Sequence, residues 1–137
     1  MTFTEAEQAI RTSVNSLTTP LFSQDRLVFP NHRDPDLTGH TKTPFLKVSI
    51  NYTNASQMAL GQLPPARYRG TLGLTYYAST NAGSKIFSQF IDLIISEYQS
   101  KNISGIIFNV PRPLDLVIGI GWAYKTVKVP FHFDTLT

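Results

Sequence analysis

His32, Asp34, Asp36 and His40 share one polar stretch, PNHRDPDLTGHTKTP, at 30 to 44. Imidazoles and carboxylates at such spacing are the donors that hold zinc or oxygen-ligated cations. Ligands must also be held in place, and this stretch has three prolines and a glycine but few apolar anchors, so a solvated loop without a metal is expected. The other reactive residue types are as isolated. Ser84 follows Gly83 without the second glycine of a hydrolase nucleophile elbow, and reads as a helix cap. Gly119-Ile120-Gly121 has neither a third glycine nor a following amphipathic helix, which argues against a dinucleotide loop and for a bend before the last strand. Glu5 and Glu7 fall on a predicted first helical turn, where the helix dipole favours negative charge. His132 sits beside Pro130 and Phe131 in a terminal strand and reads as a structural histidine. The chain has no cysteine, which removes disulfides, thiolate metal sites and thiol nucleophiles. With 3 histidines and 9 carboxylates so dispersed, neither an enzyme nor a cofactor is expected.

Arg67-Tyr68-Arg69 interleaves cations with an aromatic ring, as single-strand nucleic-acid platforms do. In a strand, however, Tyr68 points to the face opposite the two arginines, so ring and cations cannot grip one nucleotide together. The formal net charge of +3 and the 15% of charged residues describe a mildly basic chain whose Lys and Arg are spread from Arg11 to Lys128. A dedicated duplex binder concentrates such residues, because affinity scales with the phosphates neutralised. Sparse surface charge suits a protein partly covered by other protein.

The elements that must position these residues follow from pattern. Thr4 and Glu7 have capping-box spacing, and Ala6, Ile10, Val14 and Leu17 recur at helical intervals, so a helix is expected over 4 to 17 with a stop at Pro20. RLVF at 26 to 29 suits a brief strand. FLKVSINYT, 45 to 53, alternates, with Leu46, Val48, Ile50 and Tyr52 inward and Lys47, Ser49, Asn51 and Thr53 outward. A second loop covers 54 to 66. RYRGTLGLTYYAS, 67 to 79, alternates again, with Tyr68, Leu72, Leu74, Tyr76 and Ala78 on one side. Ile86, Phe87, Phe90, Ile91, Ile94 and Tyr98 trace one face of a helix over about 81 to 100, on which Glu97 can pair with Lys101. GIIFNV at 105 to 110 is a strand, 111 to 121 a connection or irregular strand, and WAYKTVKVPFHF a closing strand whose Pro130 calls for an edge or bulge.

Helix, strands, helix and strands give an α+β domain. A largely antiparallel or mixed sheet carries one long and one short helix on one face, and 1–137 form a single domain. Lys47, Arg67, Arg69 and Lys128 then mark a polar second face, which an antiparallel sheet tolerates in water. The sequence has no apolar run of membrane-spanning length and no secretion signal at its start, so a cytosolic protein without membrane contact is expected.

Pro44-Phe45-Leu46-Lys47-Val48, then Leu60-Gly61, then Arg67 and Gly70 opening a strand that runs to a small glycine-containing turn before an amphipathic helix, resembles the tail terminator proteins of long-tailed bacteriophages. The pattern runs in order along nearly the whole chain. It implies a structural virion protein of the tail and neck, assembled in the host cytoplasm as a ring, commonly a hexamer, on the head-proximal end of the tail tube. Such a ring stops tube polymerisation, offers a docking surface to the head connector or stopper protein, and lets genomic DNA pass through its channel without reading its sequence. On this reading Lys47, Arg67, Arg69 and Lys128 face the channel or a neighbouring subunit. Asn31, His32, Arg33, Asp34 and Asp36, with Gln57, Met58 and Leu60, lie on loops long enough to reach a neighbour or the tube. The alternatives are another neck component, such as a head-closure or tail-completion protein, a small nucleic-acid-binding module, or a metal-dependent hydrolase built on the His32 to His40 stretch.

Overall fold

In the computed structural model, residues 1–17, 21–22, 27–29, 44–57, 66–79, 84–119 and 121–135 are described. The first helix, α1, spans Phe3–Asn15. Its cap is Thr2, whose Oγ1 accepts from the Glu5 N–H at 3.1 Å and donates to the Glu5 carboxylate at 3.3 Å. The predicted Thr4/Glu7 box is thus displaced by two residues. Thr4 lies inside the first turn, and Glu7 instead accepts a hydrogen bond from the Tyr52 hydroxyl at 3.0 Å. Pro20 lies outside the described residues.

Strand β1, Leu27–Val28, runs parallel to β2, Phe45–Gln57, which pairs antiparallel with β3, Ala66–Ser79. Residues 54 to 57, expected in a loop, continue β2 instead. Thr53 is inserted as a bulge between Tyr52 and Asn54, and beyond it the alternation is reset: Asn54 pairs with Arg69 and Ser56 with Arg67. Helix α2 spans Lys85–Tyr98 and follows Ser84, whose side chain makes no capping bond. The two helices have 13 and 14 residues. Since α2 ends at Tyr98, Lys101 lies past its last turn and has no i, i+4 relation with Glu97.

A hairpin follows, of β4 (Asn102–Ile103), which was not expected, and β5 (Ile106–Phe108), which lies within the strand expected at 105 to 110. Its two-residue turn places Ser104 and Gly105 at φ 54° and 92°, and the Asn102 side chain accepts from the Gly105 N–H. Positive φ at both positions marks the turn type whose twist matches paired strands. Two further short strands, β6 (Arg112–Pro113) and β7 (Val117–Ile118), occupy the stretch expected as a connection or irregular strand. Both pair with the closing strand β8, Trp122–Thr135, and Gly121 at φ 77° makes the bend expected there.

The sheet is mixed, with eight strands in the order β1-β2-β3-β8-β5-β4, and β6 and β7 also lie along β8. β8 is therefore central, and its register with β3 runs unbroken through Pro130, where an edge or bulge is expected. The proline is tolerated because its carbonyl, which accepts from Asn109 N at 2.8 Å, and its nitrogen point to the same side, where β5 has ended and β6 has not begun. Its missing N–H therefore leaves the β3–β8 ladder intact.

Both helices pack on one side of this sheet, as predicted for an α+β fold. Ala6, Ile10 and Val14 of α1 and Phe87, Phe90, Ile94 and Tyr98 of α2 share one buried cluster with Leu46, Val48, Leu72, Leu74, Tyr76, Val127, Val129, Phe131 and Phe133. Burying an aliphatic or aromatic side chain of this kind contributes about 1.5–3 kcal/mol. The helices also meet directly, Ser13 Oγ and Tyr98 Oη lying 3.1 Å apart.

Candidate functional site

With one side of the sheet covered by helices, chemistry is left to the other. Along this outward face, rows of side chains run across β2, β3 and β8. At one end Phe45 stacks on Tyr77 at 4.5 Å, Tyr77 contacts Tyr124 at 5.0 Å, and Phe45 meets Trp122 edge-on at 5.7 Å. Phe45, Trp122 and Val28 form a second buried cluster. The face is thus not uniformly polar: its parity also carries an aromatic end that alternation alone places in water.

The rows then become hydroxylic and cationic. Lys47, Thr75 and Thr126 align, the two threonine hydroxyls 2.9 Å apart, and next come Ser49, Gly73, Lys128 and Arg112. Lys47, Lys128 and Arg112 are exposed. Beyond the bulge, Asn54, Arg69, His132 and Ile107 align, followed by Ser56, Arg67 and Asp134.

All four cations singled out from the sequence lie on this face, as the alternation required. They are not equivalent. Arg67 forms a two-pronged pair with Asp134, Nε to Oδ1 at 2.8 Å and Nη2 to Oδ2 at 3.2 Å. The guanidinium holds the Asp134 carboxyl below its ordinary range, and the carboxylate in turn raises Arg67. Arg69 gives one N–H, through Nη1, to Ser56 Oγ at 3.1 Å, and the Thr53 hydroxyl at the bulge donates to the Arg69 carbonyl at 3.4 Å. His132 is pushed below its ordinary value, first by burial and then by Arg67, with Arg69 acting in the same sense and Asp134 opposing.

The role of His132, Asp134, Asn54, Ser56 and Arg112 here was missed. Asp134 and His132 share the arginine parity on β8, a signal present in the alternation. Asn54 and Ser56 reach the face only because of the bulge, and Arg112 only through β6, neither of which hydropathy marks. Among the described residues, no group of three or more His, Asp or Glu could hold a metal ion. Asn31, His32, Arg33, Asp34, Asp36, His40, Met58 and Leu60 lie outside the described residues, as does the side chain of Gln57, whose backbone ends β2. No described helix is long and apolar enough to cross a membrane.

No family model and no curated protein matches the sequence. Among solved structures, a chain known by a sequence label without functional content superposes on 96% of this chain and 97% of its own length, with a TM-score of 0.59 at 12% identity. The likeness extends over the whole α+β arrangement and concerns the fold alone.

Proposed function

We propose that this chain is a tail terminator of a long-tailed phage: a virion protein that closes into a ring on the head-proximal end of the tail tube, halts its growth and receives the head connector. It binds and positions, and makes or breaks no bond. The observation that carries this reading is the division of the sheet. One face is sealed by two helices, and the other spreads Lys47, Lys128 with Arg112, and Arg69 over three separate rows. Such a face suits a channel wall past which DNA slides, because dispersed cations attract phosphate without gathering enough contacts to arrest it. The order of Pro44 to Val48, Leu60-Gly61 and Arg67 to Gly70 supports the same assignment.

Particle mass and negative-stain images of the purified protein, alone and with tail tubes, test the proposal. Rings that cap one tube end and stop elongation are expected; a particle that stays monomeric at all concentrations and ignores tube ends rejects it. Because Arg67 is tied to Asp134 within the chain, the charge-reversal test belongs on Arg69 and Lys128. R69E with K128E is expected to leave rings intact and impair DNA passage. Loss of the rings themselves would place this face between subunits.

A further inference from the structure

Arg69 differs from the other cations of the outward face in how it is held. Its carbonyl is fixed at the bulge by Thr53, and one guanidinium N–H is anchored on Ser56. Among the described residues the guanidinium has no acidic partner, since Asp134 is spent on both prongs of Arg67. Around it stand groups that can donate. Ser56 accepts from Arg69 and keeps its own hydroxyl proton, Asn54 is directly across on β2 with its exposed amide, and His132 is directly across on β8. On the far side of His132 the neighbour is Ile107, which is apolar and 39% exposed.

The geometry points to a discrete oxyanion site at Arg69, Ser56, Asn54 and His132, with the donors for a phosphate group, either free or in a nucleic-acid backbone. A planar guanidinium with an unspent edge binds tetrahedral oxyanions through paired N–H donors, and the hydroxyl, amide and imidazole supply the remaining directions. Among the described residues, the charged groups facing His132 are Arg67 and Arg69 from β3 and Asp134 from its own strand, while β2 and β5 present no charge to it. An anion seated here offsets the Arg69 charge and favours the imidazolium, so binding raises the His132 titration midpoint. By linkage, affinity rises as pH falls. The site is complete in one chain and stands whether or not rings form.

The full-length chain, labelled with 15N, tests this by titration with inorganic phosphate and with sulfate, whose charge is constant across the range. Saturable shifts at the Arg69 Nε–H, the Ser56 amide and the His132 ring are expected, with a raised His132 midpoint in sulfate. R69Q is expected to weaken binding by about tenfold or more, the loss of charged hydrogen bonds. K47Q and K128Q should change it less than about twofold, as exposed charges do. If R69Q loses its folded spectrum, H132Q takes its place and should abolish the rise in sulfate affinity between about pH 7.5 and 5.5, either side of the ordinary imidazole value. Unsaturable shifts shared equally by Lys47 and Lys128, or a His132 midpoint that sulfate leaves in place, overturn the site. A short DNA duplex separates the sources: if sulfate displaces it and R69Q weakens it in parallel, the ligand is a phosphodiester, and if only inorganic phosphate binds, the ligand is a free phosphate.

Discussion

Gly70 and Gly73 lie on the same strand but face opposite sides of the sheet, and the two should respond differently to one added methyl. A Cβ at Gly70 would stand 2.7 Å from the Asn51 carbonyl oxygen and 2.7 Å from the Phe131 ring, one a backbone atom and the other a packed core side chain. Neither can yield cheaply, so G70A is expected to cost about 1–3 kcal/mol in urea unfolding, as overpacking does. A Cβ at Gly73 would collide with Ser49 Oγ, which can rotate away. G73A is therefore expected to fall within about 0.5 kcal/mol of wild type, and in an S49A background to lose even that cost. A G70A protein as stable as wild type would show that the Phe131 ring is not fixed where β5 and β3 enclose it. The same scale shows what alternation could and could not convey. It put Arg67 and Arg69 on one face correctly, but nothing in their spacing separated the arginine neutralised by Asp134 from the one anchored on Ser56.

At the scale of elements, the helices and long strands were legible because each carries a sustained period, 3.6 in α1 and α2 and 2 in β3, β8 and β2 as far as its bulge at Thr53. Their ends were not. The α1 start was placed at Thr4 because Thr4/Glu7 and Thr2/Glu5 have identical spacing, and only the side-chain bonds choose between them. T2A is accordingly expected to lower stability by about 1 kcal/mol, the usual cost of a lost cap. T4A, removing an exposed side chain inside the first turn, should be neutral or slightly stabilising, since alanine is the better helix former. Thermal melts of the two variants decide the matter, and a larger loss in T4A would restore the predicted start. The short strands β1 and β5 fall within those expected at 26 to 29 and 105 to 110, whereas the others were less legible for a different reason. β4, β6 and β7 have two residues each, too few to show any period, and exist because β8 offers them an edge or, for β4, because Ser104-Gly105 turns the chain back. Tertiary pairing made those elements.

At the scale of the molecule, the two helices, the sheet and the segment at Leu21 are tied together through phenols that fold in the neutral form. Tyr98 on α2 lies 3.1 Å from Ser13 of α1, Tyr76 on β3 donates to the Leu21 carbonyl at 2.8 Å, and Tyr52 on β2 donates to Glu7. Burial is the leading cause that pushes each of the three up to about 12, against an ordinary value of 10.0, and for Tyr52 the adjacent Glu7 adds to it. A group with a raised folded pKa contributes stability that is complete below its unfolded value and is lost as pH climbs through the folded one. The vulnerable window is therefore pH 10.0 to about 12. In it the unfolded chain ionises these phenols first, and each adds one proton to the pH slope of unfolding. Tyr98, 1% exposed, contributes up to about 3 kcal/mol by the top of the window. Y98F is expected to retain most of the neutral-pH stability, because Ser13 Oγ keeps its 2.8 Å bond to the Ile10 carbonyl and the ring remains against Phe108. Its slope between pH 10 and 12 should be one proton shallower. Urea midpoints collected across that range provide the check, and an unchanged slope would mean that Tyr98 is already ionised, or solvated, at the seam between the helices.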